Sequence, residues 1–198
     1  MVDRKRDDGG QVHTLEGVSA AVLIILTATF MVQSLAITPT SSSTASKEVE
    51  TQMKVIGEDL LDKTYSTGGL REALLNWNGT GGNFVDAGTK GFYRGRGMPG
   101  KFGDDLNQTY FQKGIAYNIE LTYRRSGTND TATTTLVTNG EPTTNAVTVN
   151  RLIVLYDDDT LTGSSKQLGE AVDYPIENLD SPDLIFNVVE VRLTAWRK

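Results

Sequence analysis

The chain reads as an α+β protein: a long N-terminal transmembrane helix and a second helix, followed by a small, mainly antiparallel β-sheet domain. Three observations predict this. An uncharged apolar run fills Gly17–Ile37. Apolar residues recur at helical spacing between Ala45 and Trp77. From Ile115 onward, apolar and polar residues alternate with the period of a strand. The expected divisions are a charged tail at 1–16, the membrane helix at 17–37, a hinge at 38–45 and an external α+β domain at 46–198.

The first element rests on length and uniformity. GVSAAVLIILTATFMVQSLAI carries no charge and would span roughly 30 Å as a helix, the thickness of the hydrocarbon layer. Thr27, Thr29, Gln33 and Ser34 soften the run, but hydroxyls can bond back to helical carbonyls. Arg4, Lys5 and Arg6 precede it, and positive flanks stay in the cytoplasm. The expected placement is therefore a single pass through the cell membrane, with a cytoplasmic N-terminus and an extracellular C-terminal domain. The lipid bilayer is then the first partner. A cleaved secretory signal is the competing reading, since Ser34-Leu35-Ala36 has the small-x-small form of a cleavage site.

Composition narrows the chemistry. There is no cysteine, which removes disulfides, zinc-thiolate sites and cysteine nucleophiles. The one histidine, His13, lies beside the apolar run rather than in the domain. Net charge is −6. Such a domain repels phosphates, so nucleic acid is not an expected partner. An acidic surface also suits solubility at high salt, though an ordinary mildly acidic domain has the same charge.

Glu16 abuts the apolar run. It is either a carboxylate facing water at the end of the helix or the partner of a charge on another chain. The segment Gly10-Gln11-Val12-His13-Thr14-Leu15-Glu16-Gly17, after a charged leader and before an apolar helix, resembles the class III signal of archaeal type IV pilin-like proteins. The resemblance implies that a prepilin peptidase cuts between Gly10 and Gln11. It also implies that Glu16, the sixth residue after the cut, pairs with the new amine of a neighbouring subunit. LREALLNWNGT at Leu70–Thr80, Gly114–Tyr123, VLYDDD at Val154–Asp159 and FNVVEVRLTAW at Phe186–Trp196 resemble a haloarchaeal membrane-anchored family related to pilins. That likeness implies no activity.

In the domain, Thr38–Thr44 reads as a hinge, because proline lacks a donor and serine and threonine compete for backbone groups. A helix is expected at Ala45–Lys63, with Val49, Met53, Ile56 and Leu60 on its buried stripe. Leu70, Ala73, Leu74 and Trp77 form a shorter stripe. Asn78–Lys113 reads as glycine-rich turns. Gly95–Gly100 matches G-x-G-x-x-G, but no strand is expected before it and no helix after it, which excludes a dinucleotide site. Strands are expected at Gly114–Tyr123, Thr133–Val137, Ala146–Tyr156 and Leu184–Trp196, joined first by antiparallel hairpins.

Three sequons, at Asn78, Asn107 and Asn129, lie in expected loops and are acceptors for N-linked glycan if the domain is outside the cell. Asp157-Asp158-Asp159 lacks the spacing of a calcium loop and reads as a solvated turn. No cofactor or metal is expected. The expected function is that of a non-catalytic, pilin-like cell-surface protein, assembling with like or pilin-like subunits through its N-terminal helix. Two alternatives are a membrane-anchored binding module that never polymerises and an envelope enzyme using Asp157 and Asp159.

Overall fold

The computed structural model describes residues 16–28, 39–79, 82–95, 97–180 and 184–197, with 39–46 as backbone alone. The chain divides into two compact units, residues 1–48 and 49–198.

In the first unit, residues 16–28 form helix α1, and every one of them is exposed. The Thr27 hydroxyl bonds back to the Leu23 carbonyl. At 1.5 Å per residue, α1 as described is about 20 Å long, well short of a bilayer's hydrocarbon layer. Residues 29–37 of the expected membrane run lie outside the described residues. Helix α2, Pro39–Ser66, is long enough but carries Lys47, Glu48, Glu50, Lys54, Glu58, Asp59, Asp62 and Lys63. Among the described residues, no helix is long and apolar enough to cross a membrane. The long transmembrane helix, the signal anchor and the single-pass placement in the cell membrane are therefore corrected.

The expected hinge is also different: the chain is helical from Pro39. Proline at a helix's first position has no donor to waste and a φ already suited to the turn, so here it opens a helix rather than breaking one. Within the second unit, the buried face of α2 is formed by Met53, Gly57, Leu60, Leu61 and Thr64, with Val49 packed at its edge. Ile56 is exposed, contrary to its place on the expected stripe. Gly57 takes that place because α2 comes very close to the sheet there. A β-carbon on Gly57 would lie 2.9 Å from both the Tyr110 hydroxyl and Val149 Cγ2. Gly68, at φ +77°, turns the chain into helix α3, Gly69–Leu75.

Helix α4, Gly100–Thr109, was not expected. It opens at the last glycine of the G-x-G-x-x-G sequence, so a helix does follow that motif. What leads into it is not a strand: Phe84 and Tyr93 make only isolated bridges.

Strands β1 (Ile115–Arg124), β2 (Thr131–Val137), β3 (Val147–Tyr156) and β4 (Ile185–Arg197) form one antiparallel sheet in the order β2-β1-β4-β3. The register sets Tyr117, Ile119 and Leu121 of β1 beside Ala195, Leu193 and Val191 of β4, all buried on one face. That face, with Ile153 and Leu155 of β3, joins the apolar residues of the three helices of this unit in a single core. Thr122–Thr133, Thr148–Thr194 and Asn150–Glu190 bond across strands on the wet face. Because β2 and β3 are opposite edges, their connection must pass the ends of β1 and β4. Asn139 ties it down, donating from its backbone to Asn118 Oδ1 (2.8 Å) and from Nδ2 to the Tyr117 carbonyl (2.6 Å).

Candidate functional site

Helix α1 is the most unusual surface among the described residues. Val18, Leu23, Ile24 and Leu26 are 60–68% exposed, and they fall on different sides of the helix. A helix apolar all round is one that something else buries. Glu16, the expected assembly residue, is the first described residue of α1 and is exposed. The expected processing bond between Gly10 and Gln11 lies outside the described residues, as does His13.

The carboxylates of Asp157–Asp159 do not converge. Asp159 accepts two bonds from Arg71, from Nη2 at 2.7 Å and from Nε at 3.1 Å, and one from the Tyr156 backbone at 2.8 Å. Arg71 also donates to the Val154 carbonyl and lies over the Tyr156 ring. The pair therefore pins α3 to the end of β3. Asp157 Oδ1 accepts from Asn178 Nδ2 at 2.8 Å, and Asp158 faces solvent. Among the described residues, no group of three or more His, Cys, Asp or Glu could hold a metal ion.

The sequons part company. Asn129 is exposed in the turn after β1, where its Oδ1 accepts from Arg124 Nη2 at 3.2 Å. Asn78 is exposed beside a bridge, and Thr80 of its sequon lies outside the described residues. Asn107 corrects the loop expectation: it sits inside α4, half-buried, with its side-chain oxygen enclosed and without a hydrogen-bond partner.

Several polar positions were not singled out by sequence reasoning. Asn187 on β4 is fully buried and completely bonded. Its Nδ2 donates to the carbonyls of Arg124 (2.9 Å) and Glu177 (2.7 Å), and its Oδ1 accepts from the Arg124 backbone (3.3 Å). An asparagine among Phe186, Val188 and Val189 was the one available signal. Glu177 is held below the usual carboxylate range, chiefly by the Ser126 backbone donor and further by Arg125, against a smaller opposing effect of desolvation. Burial raises the phenols of Tyr93, Tyr110 and Tyr117 to about 12. Tyr174, which donates to the Leu74 carbonyl inside a cluster with Trp77, Phe84 and Phe186, is pushed higher still by the same cause. These groups stay neutral at ordinary pH and serve as core.

A surface cavity of about 180 Å³ lies between α3 and α4 and is lined by Glu72, Asn76, Pro99, Lys101 and Thr162 among others. Glu72 and Lys101 are both exposed, and no nucleophile with an adjacent base is among the lining residues.

No solved structure matches the chain. A relative from Archaeoglobus fulgidus, described as an uncharacterized protein, is 31% identical over 192 residues, covering 95% of this chain and 92% of that protein. Residues 9–195 match the family of unknown function DUF7288, so the likeness takes in α1 as well as the sheet, and the chain belongs to that family.

Proposed function

We propose that the protein is a non-catalytic, pilin-like structural protein that works by assembling with copies of itself through helix α1. The observation that carries this reading is the exposure of Val18, Leu23, Ile24 and Leu26 around that helix. Covering one such side chain contributes about 1.5–3 kcal/mol, so several of them favour close packing against neighbours of the same kind. The resemblance of Gly10–Gly17 to a pilin-like signal supports the same reading. So does the use of Asp157 and Asp159 in internal hydrogen bonds.

Cross-linking tests the reading directly, because the chain contains no cysteine. Val22→Cys in the full chain should give disulfide-linked dimers, whereas Gln108→Cys, exposed on α4, should not. At about 1 M salt, where surface charges are screened, Leu23→Glu together with Ile24→Glu should abolish the dimers and lower the sedimentation coefficient. Unchanged association of that double variant under those conditions would remove the proposal.

A further inference from the structure

The four strands place opposite charge at opposite ends of the sheet. The register puts the start of β1, the end of β2, the start of β3 and the end of β4 together at one end. Arg197 closes β4 there, and Lys113 lies two residues before β1. Arg94 is fixed at the same end, since Tyr93 bridges Val137 and the Gly95 backbone donates to Asn139 Oδ1 at 2.7 Å. All three cations are exposed. Among the described residues Glu141 and Asp86 also lie toward this end, with Lys90 beside Asp86 and Arg94, and so do Glu50 and Glu58 of α2, which runs along β3 from Gly57 at Val149 to Asp62 at Arg151.

At the other end, Asp130 precedes β2 and Asp158 follows β3. Asp180 lies against the 124–129 turn, sharing a surface hollow with Arg124, Arg125 and Asn129. These three carboxylates are exposed. Of the cations there, Arg125 pairs with Glu177 and Arg71 with Asp159, while Arg124 donates to the neutral amide of Asn129 and Lys166, in the segment after β3, is exposed.

We infer that copies of this domain stack end to end, the Arg94/Lys113/Arg197 end of one against the Asp130/Asp158/Asp180 end of the next. The ten residues of β1 separate the two poles by about 30 Å. That is several times the Debye length of about 8 Å at physiological salt, so the poles do not cancel within one molecule. A second copy offers the complement to each pole automatically. The contact joins two different patches, so it leaves a free pole at each end and propagates rather than closes. This inference rests on the reading that the protein works by self-assembly, yet its contact is separate from α1.

The test is sedimentation of the full chain carrying Leu23→Glu and Ile24→Glu, which removes the apolar contribution of α1. Association should persist at about 0.01 M salt, where the Debye length is about 30 Å, and weaken by roughly tenfold or more at about 1 M, where it is about 3 Å. Adding Arg94→Glu with Arg197→Glu should abolish it, as should Asp158→Lys with Asp180→Lys. Mixing the two reversed proteins should restore it. All four positions are exposed, and matching melting temperatures would show that the folds are intact. A helix variant that is monomeric at low salt overturns the stacking while leaving assembly through α1 in place. Association that ignores salt and both reversals overturns it too, and so does loss on reversing one pole only. Undiminished association of the helix variant, by contrast, counts against α1 and not against the stacking.

Discussion

Single residues in this protein carry weight when they are polar and enclosed. Asn187 joins the end of β1 to the segment around Glu177 through three hydrogen bonds, and it has no exposed surface. Asn187→Ala would leave two carbonyls and an amide without partners in a dry site, each costing about 1–3 kcal/mol before any relaxation. We expect a net loss of about 3 kcal/mol in urea unfolding, with activity-independent signs such as faster hydrogen exchange at Arg124. A loss under about 1 kcal/mol would mean that water reaches the site. The Tyr110 hydroxyl presents the opposite case, since it is buried without a hydrogen-bond partner. It is tolerated above Gly57, where no side chain competes for the space.

At the level of elements, the register of α2 is the sharpest point. Heptad-like spacing cannot separate Ile56 from Gly57, because both lie within one residue of the same stripe. Burial separates them, with Leu60 only 5% exposed and Ile56 38%. Leu60→Ala should cost about 2–5 kcal/mol by thermal or urea unfolding, as cavity-forming changes do. Ile56→Ala should stay within about 1 kcal/mol. Equal costs would place the helix in a different rotation. Pro39 belongs to this scale as well: as a first-turn residue it stiffens the start of α2, where a proline later in the helix would break it.

For the molecule as a whole, the buried phenols fix how stability responds to alkali. Tyr93, Tyr110 and Tyr117 titrate near 12 when folded, against 10.0 for the ordinary group. A raised folded value means that folding is supported fully below pH 10 and that this support is lost as pH rises toward 12. The unfolding free energy, measured in urea, should therefore hold to about pH 9 and then fall, by about 1 kcal/mol per pH unit for each tyrosine. Tyr110→Phe removes one such contribution and should flatten the fall measurably. A slope that does not change would show that Tyr110 is reached by solvent.

The amino-acid sequence by itself determined the four strands, because period-two alternation within Ile115–Arg124 and the long apolar runs of β3 and β4 are local patterns. It also determined that α1 is apolar and that Asp157–Asp159 forms a turn. Local pattern could not settle whether Pro39 stops a helix or starts one, because that depends on what the flanking backbone does. Helix α4 escaped because Pro99-Gly100 and three glycines read as turn, while its helicity comes from docking Phe102 and Leu106 into the core. Asn107 left its expected loop for the same reason. Only the tertiary structure decided the strand order β2-β1-β4-β3, the enclosure of Asn187 and the separation of Arg94, Lys113 and Arg197 from Asp130, Asp158 and Asp180. Each joins residues far apart in the chain, and such long-range contacts follow from the packing of a whole core rather than from any window of sequence.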